Sequence, residues 1–178
     1  MLNPPKTIET ERLILRAPVM EDAAAMLESY GRDPEVTRYL TWKPFQSLEE
    51  AEGFIRNRVE GWEKGFWFSW TILLREGGAH LGTVSLRTLG PRLFMGFIIA
   101  RPYWGRGYST EAARPVLEWA LAQPNVYRVS AVCDTEHLAS ARVLEKIGMQ
   151  YEGTLRRWDV HPNISDVPRD CLCYSAVK

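Results

Sequence analysis

Cysteine is scarce in this chain: Cys133, Cys171 and Cys173 are the only three among 178 residues. An odd number, with no second pair at metal-ligand spacing, excludes a disulfide framework and a tetrahedral zinc site, so free thiols and no metal are expected. Long apolar runs are missing too. None approaches the roughly 18 residues of a membrane span, and Met1 to Thr10 carries Pro4, Pro5, Lys6 and Glu9 where a secretion signal needs an apolar block. No membrane partner and a cytoplasmic location are expected. Nor is there an excess of either charge, because 22 Lys+Arg face 22 Asp+Glu. Without an overall positive field, or a basic stretch interleaved with stacking aromatics, no nucleic-acid partner is expected.

What is present is the make-up of a packed domain. Apolar residues form 46% and charged residues 25% of the chain, and no repeat, linker or low-complexity tract divides it, so residues 1–178 read as one domain. Arg12 to Arg16 alternates as a half-buried strand. Glu21 to Tyr30 is helical, with acids in its first turn, and stops at Gly31 and Asp33-Pro34. Residues 35–44 read as irregular. Ser47 followed by Glu50 makes a capping box for a helix through Trp62 that closes at Gly65. Three strands follow, Phe66–Leu74, Ala79–Thr88 and Arg92–Ala100, joined by turn-forming glycines as an antiparallel meander. Thr110–Ala122 is a helix in which Pro115 predicts a kink or a later start. Tyr127–Cys133 is a strand, Leu138–Ile147 a helix, and Met149–Arg157 and Arg169–Val177 are the last strands. The order β-αα-βββ-α-β-α-ββ predicts an α/β (α+β) fold with a mixed sheet of about seven strands flanked by about four helices.

The sharpest local feature is the turn between the third meander strand and the next helix. Gly105 and Gly107 let the main chain approach a ligand closely, and the helix directs its unpaired amides and positive dipole end at the same point. Those are the requirements of a diphosphate cradle. The turn is not a Walker loop, which needs Gly-Lys-Ser/Thr. Nor is it a dinucleotide fingerprint, which needs a third glycine where Thr110 stands.

Trp104 to Ser109 (WGRGYS) resembles the acetyl-coenzyme A loop of the Gcn5-related N-acetyltransferases, with Trp104 and Ser109 departing from its end positions. The longer run Tyr103 to Ala112 (YWGRGYSTEA) is similar to the RimJ/RimL branch, whose members acetylate protein N-termini and sometimes other amines. Four further segments match in order: Thr10 to Arg16 (TERLILR), Ala139 to Gly148 (ASARVLEKIG), Glu152 to Arg156 (EGTLR), and Arg169-Asp170 with Tyr174. The resemblance implies a mostly antiparallel sheet and acetyl-CoA as co-substrate. Main-chain groups of Ile98, Ile99 and Ala100 would then hold the pantetheine arm. Gly105, Arg106, Gly107, Tyr108, Ser109 and Thr110 would hold the diphosphate. His137 replaces the asparagine that usually bonds the pantetheine, and is either that contact or a solvent-facing loop residue. Ser140 either bonds the coenzyme or caps its helix.

Direct transfer needs a neutral amine and no protein nucleophile. An unperturbed α-amine is about 10–17% neutral at pH 7 and a lysine amine about 0.04%. A peptide N-terminus therefore demands less basic help. The superfamily's tyrosine acid has no counterpart, since Leu144 occupies its position. By resemblance Ser140 becomes the candidate acid and Asp159 the candidate base or acceptor contact, with Glu35 and Glu136 in reserve. Trp42, Phe45, Trp62, Trp67 and Trp70 lie in segments that wall the family's acceptor groove, though large rings usually fill cores. Glu35 and Trp42 are taken as acceptor contacts. Residues 21–63 hold ten acids and five bases, which would favour a cationic acceptor. The acceptor is expected to be a peptide N-terminus, alternatively a small-molecule amine such as a polyamine, amino acid or antibiotic. A non-catalytic acetyl-CoA-binding module is the other reading, and the chain would be a monomer or homodimer.

Overall fold

The computed structural model describes residues 2–178. Among them are eight strands and five α-helices: β1 Thr7–Glu9, β2 Leu13–Arg16, α1 Asp22–Met26, α2 Pro34–Thr37, α3 Leu48–Glu63, β3 Trp67–Leu74, β4 His80–Leu89, β5 Arg92–Ile99, α4 Tyr108–Ala122, β6 Arg128–Asp134, α5 Leu138–Lys146, β7 Gln150–Asp159 and β8 Arg169–Val177. All eight strands join one sheet in the order β1-β2-β3-β4-β5-β6-β8-β7. Every neighbouring pair is antiparallel except β5 and β6. The mixed, mostly antiparallel sheet is the expected one, with eight strands rather than about seven.

The additions have local causes. β1 has three residues, too few to display an alternation. α2 forms where an irregular segment was expected, because the Asp33 carboxylate accepts the Glu35 N–H at 2.9 Å and Pro34 supplies the helical φ. The capping box of α3 forms with one change. Ser47 Oγ accepts from the Glu50 N–H at 3.2 Å, but the Glu50 carboxylate accepts the Gln46 N–H at 2.8 Å, one residue earlier than the usual partner. α1 runs on into a π-helical turn at Leu27–Gly31. Of the kink or later start expected from Pro115, the later start does not occur: α4 begins at Tyr108, after Gly107 at φ 81°, and runs through Pro115.

The two faces of the sheet carry separate cores. On one, Trp70 meets Trp119 of α4 edge-on, and Ile99 joins a cluster that includes Val116, Leu117 and Leu144. On the other, Ile98 and Ala100 pack with Met26, Tyr30 and Ile55 of the α1–α3 layer. β5 therefore runs between both helical layers. Its parallel pairing with β6 is confined to Arg92/Arg128, Leu93/Val129 and Phe94/Ser130. Beyond Phe94 the strands part, and β6 continues on β8 alone through Asp134/Cys171.

Candidate active site

The parting of β5 and β6 leaves the main chain of Met95–Ile99 with no strand on one side. Which groups look into the gap follows from ladder parity. The Ala100 N–H donates to the Leu81 carbonyl at 2.7 Å, and Ile98 lies opposite Thr83 in the same alternation. The Ile98 carbonyl presses so closely on Gly82 that a Cβ there would sit 2.0 Å from it. Ile98 and Ala100 are thus turned toward β4, and the groups facing the gap belong to Phe97 and Ile99. This corrects the expectation that all three of Ile98, Ile99 and Ala100 offer main-chain groups there. The Ile99 carbonyl is itself taken by the Trp104 indole N–H at 2.6 Å, which leaves the Ile99 N–H.

The turn after β5 passes through a 3-10 segment, Arg101–Tyr103, into Trp104–Gly107. Gly105 and Gly107 have φ of 73° and 81°, in the region that favours glycine, and a Cβ on Gly105 would meet nothing within 4 Å. Gly105, Arg106 and Gly107 are exposed, while Tyr108, Ser109 and Thr110 form the first turn of α4, whose amides have no intrahelical acceptor. Open space, positive φ and a helix N-terminus converge beside the parted strands. That geometry fits a diphosphate followed by an amide-bearing arm.

The opposite wall is the end of β6 with α5. Ser140 stands in the first turn of α5, whose N-cap residue is His137. Burial pushes the Cys133 thiol on the neighbouring end of β6 up to about 11, with Ser140 acting in the opposite direction. Leu144 is buried. His137 is not a solvent-facing loop residue: it stacks on Tyr39 with ring centroids 4.4 Å apart, and burial lowers its pKa. Asp134 is fully buried. Burial opposes its ionisation, but the Arg169 guanidinium, at 2.6 and 3.1 Å, and the Glu136 N–H keep its carboxyl below the ordinary range. Glu136, with its side chain exposed, shares Arg169 at 3.0 Å.

The loop between β7 and β8 closes this end. His161 is buried with Nε2 between Asp134 (3.6 Å) and the Cys171 sulfur (3.7 Å), and among the described residues its Nδ1 has no partner. Asn163 donates to the carbonyls of Thr37 (2.6 Å) and Trp42 (2.8 Å), fastening the α2–α3 loop to the far arm of the sheet. Asp159 ends β7 opposite Arg169, and its carboxylate accepts the Val160 N–H at 3.2 Å. Glu35 is exposed on α2. Trp42 stacks on Phe45 at 4.6 Å and tilts against Phe54, and these rings with Glu50 line an open groove of about 800 Å³. Trp70 and Trp62 are instead packed into the sheet core, and Trp67 lies under Arg58 at 3.6 Å.

Tyr39, Asp134, His161 and Asn163 were not found from sequence. Only Asp134 leaves a local trace, since its carboxylate accepts from the N–H two residues on, an Asx-turn pattern. The others act on segments far away in the chain.

A mixed sheet opened between a parallel strand pair, with a glycine turn and a helix N-terminus at the opening, suits a coenzyme A-dependent acyltransferase. Residues 12–150 match the acetyltransferase (GNAT) domain model, and the chain belongs to that family. It is 32% identical over 174 residues to the uncharacterized N-acetyltransferase YoaA of Bacillus subtilis (strain 168), covering 96% of each chain. Among solved structures it is similar to an acetyltransferase (GNAT family) from Bacillus anthracis, with TM-score 0.83, 25% identity and coverage of 96% and 98%. The RimL ribosomal L7/L12 alpha-N-protein acetyltransferase in complex with coenzyme A shares the fold at TM-score 0.85 and 16% identity, with coverage of 96% and 97%. The chain is an acetyl-CoA-dependent N-acetyltransferase.

Proposed function

We propose that the acceptor is the α-amine of a protein or peptide N-terminus, attacked directly on the thioester with both substrates bound. The observation that carries this is the open groove along Trp42, Phe45, Phe54 and Glu50, joined by the apolar cluster of Ile98 and Ala100 to the end of β5. An open, ring-lined channel with both Glu50 and Lys43 on its wall suits an extended peptide with a single positive end better than a linear polycation, which the lysine would repel. The likeness to RimL, named for α-N-protein acetylation, supports the same reading. So does the chemistry, because an α-amine has a useful neutral fraction at pH 7.

In this reading the Ile99 N–H faces the developing oxyanion, Asp159 takes the amine proton, and Ser140 hydrogen-bonds the departing sulfur. Gly105 to Thr110 bind the diphosphate, and Phe97 joins Ile99 along the pantetheine. Glu35 and Trp42 contact the acceptor. The test is coenzyme A release against N-terminal peptides, free amino acids and polyamines, read by product mass. Acetylated peptide N-termini are the expected product, and turnover confined to polyamines or amino acids overturns the assignment.

A further inference from the structure

Glu111 stands in the first turn of α4, yet its carboxylate is turned away from the helix toward the β1–β2 turn. It accepts from Thr10 Oγ1 at 2.6 Å, the Arg12 main-chain N–H at 2.8 Å and Arg12 Nε at 2.6 Å, with Arg12 Nη2 also at 2.6 Å. Burial opposes the ionised form, and these donors still hold its carboxyl below the ordinary range. The β1–β2 turn is itself fixed: the Thr10 N–H donates to the Leu13 carbonyl, and Thr10 Oγ1 accepts the Leu13 N–H, both at 3.0 Å. Arg12 then reaches past Glu111 into the glycine turn. Its Nη1 donates to the Arg106 carbonyl at 3.1 Å, its guanidinium carbon lies 4.3 Å from the Tyr108 ring centroid, and its Nη2 would be 3.6 Å from a Cβ on Gly107.

In a trans peptide the carbonyl and the following N–H point in opposite directions. Drawing the Arg106 carbonyl toward Arg12 therefore turns the Gly107 N–H the other way, and removes from the cradle a carbonyl that would repel an anion there. We propose that Thr10, Arg12 and Glu111 form a latch that sets the peptide orientation of the Gly105–Gly107 turn for the coenzyme diphosphate. Arg12 is a positioning residue that acts through the turn. The inference rests on the acetyl-CoA reading of that turn and assigns a role to the TERL segment, which lies about 100 residues away in sequence.

The experiment measures coenzyme A affinity by calorimetry for wild type, R12A, R12K and E111Q, and kcat/KM with acetyl-CoA and with S-acetylpantetheine, which lacks the diphosphate. All three variants are expected to weaken coenzyme A binding at least tenfold, R12K included, because an ammonium cannot hold Glu111 and the Arg106 carbonyl together. The loss with acetyl-CoA should exceed that with S-acetylpantetheine at least tenfold. Equal losses toward both donors make the trio a folding staple and overturn the latch, as does wild-type affinity in R12K, which would leave charge alone as the cause. Failure of the wild type to bind coenzyme A overturns the functional reading itself, an outcome distinct from wild-type binding that R12A leaves unchanged.

Discussion

Tyr39 and His137 lie face to face, ring centroids 4.4 Å apart with 16° between their planes, and in doing so join the α2–α3 loop to the turn that opens α5. The two residues are 98 positions apart in the chain. Replacing Tyr39 by Ala removes a contact worth roughly 1 kcal/mol, which in a domain of this size lowers Tm by about 2–4 °C. It also uncovers the imidazole. The His137 pKa, held low by burial, is expected to rise in Y39A toward about 6.5, the value of a free histidine. Titration of the imidazole C–H proton by NMR checks it, and an unmoved pKa means that Tyr39 is not what buries His137.

Stability should fall on the acid side in two stages. His80 and His137 both have pKa values lowered, first by burial. The unfolded chain therefore binds more protons than the native one once pH drops below about 6.5, and their contribution is lost as pH falls through the folded values. Asp22 and Asp134, with carboxyls held low against burial by Arg16 and Arg169, keep theirs until about pH 4 and lose it below. Urea unfolding from pH 8 to 3 measures both stages, and H137N is expected to flatten the first.

Asp159→Asn is expected to lower kcat/KM by roughly 10²–10⁴-fold, most at acid and neutral pH, if its carboxylate takes the amine proton. A pH profile that keeps the wild-type shape removes Asp159 from the chemistry.

Gly82→Ala tests the end of β5 from behind. With a Cβ 2.0 Å from the Ile98 carbonyl, either β4 or β5 must shift. The displacement falls where Ile99 faces the gap, so the variant should raise KM for acetyl-CoA at least tenfold while losing about 1–3 kcal/mol of stability. Steady-state kinetics and thermal unfolding on one sample separate the two effects.

Asp134→Asn leaves the Arg169 guanidinium with only Glu136 as a charged partner and removes the carboxylate beside His161. A loss of about 3 kcal/mol is expected from breaking this pair. A Tm within 2 °C of wild type would show that solvent reaches Arg169 freely.

Strands β2 to β8 and helices α1 and α3 to α5 were legible because alternation, caps and glycine stops are written locally. The glycine turn was legible for the same reason. The groups facing the gap were not. Whether Ile98 or Ile99 looks inward depends on the register of β5 against β4, a property of two strands together that no reading of one can supply. The wall opposite was hidden by distance: Asn163 meets the Trp42 carbonyl across 121 positions. His137 was marked by its place before α5, but its partner Tyr39 lay in a segment read as irregular.

The parted strands give the molecule an unfinished edge inside its own sheet. Proteins blunt exposed edges at the margins of a sheet because any passing strand can pair with them. Here the edge at Phe97 and Ile99 is recessed between α4 on one face and the α1–α3 layer on the other, and the fastened α2–α3 loop flanks its end. A second polypeptide pairing there would have to seat side chains against both helical layers. A slimmer arm carrying amides would not, and in the acetyl-CoA reading proposed above that arm is the pantetheine, so the place that takes the coenzyme is also the place kept from strand-by-strand aggregation.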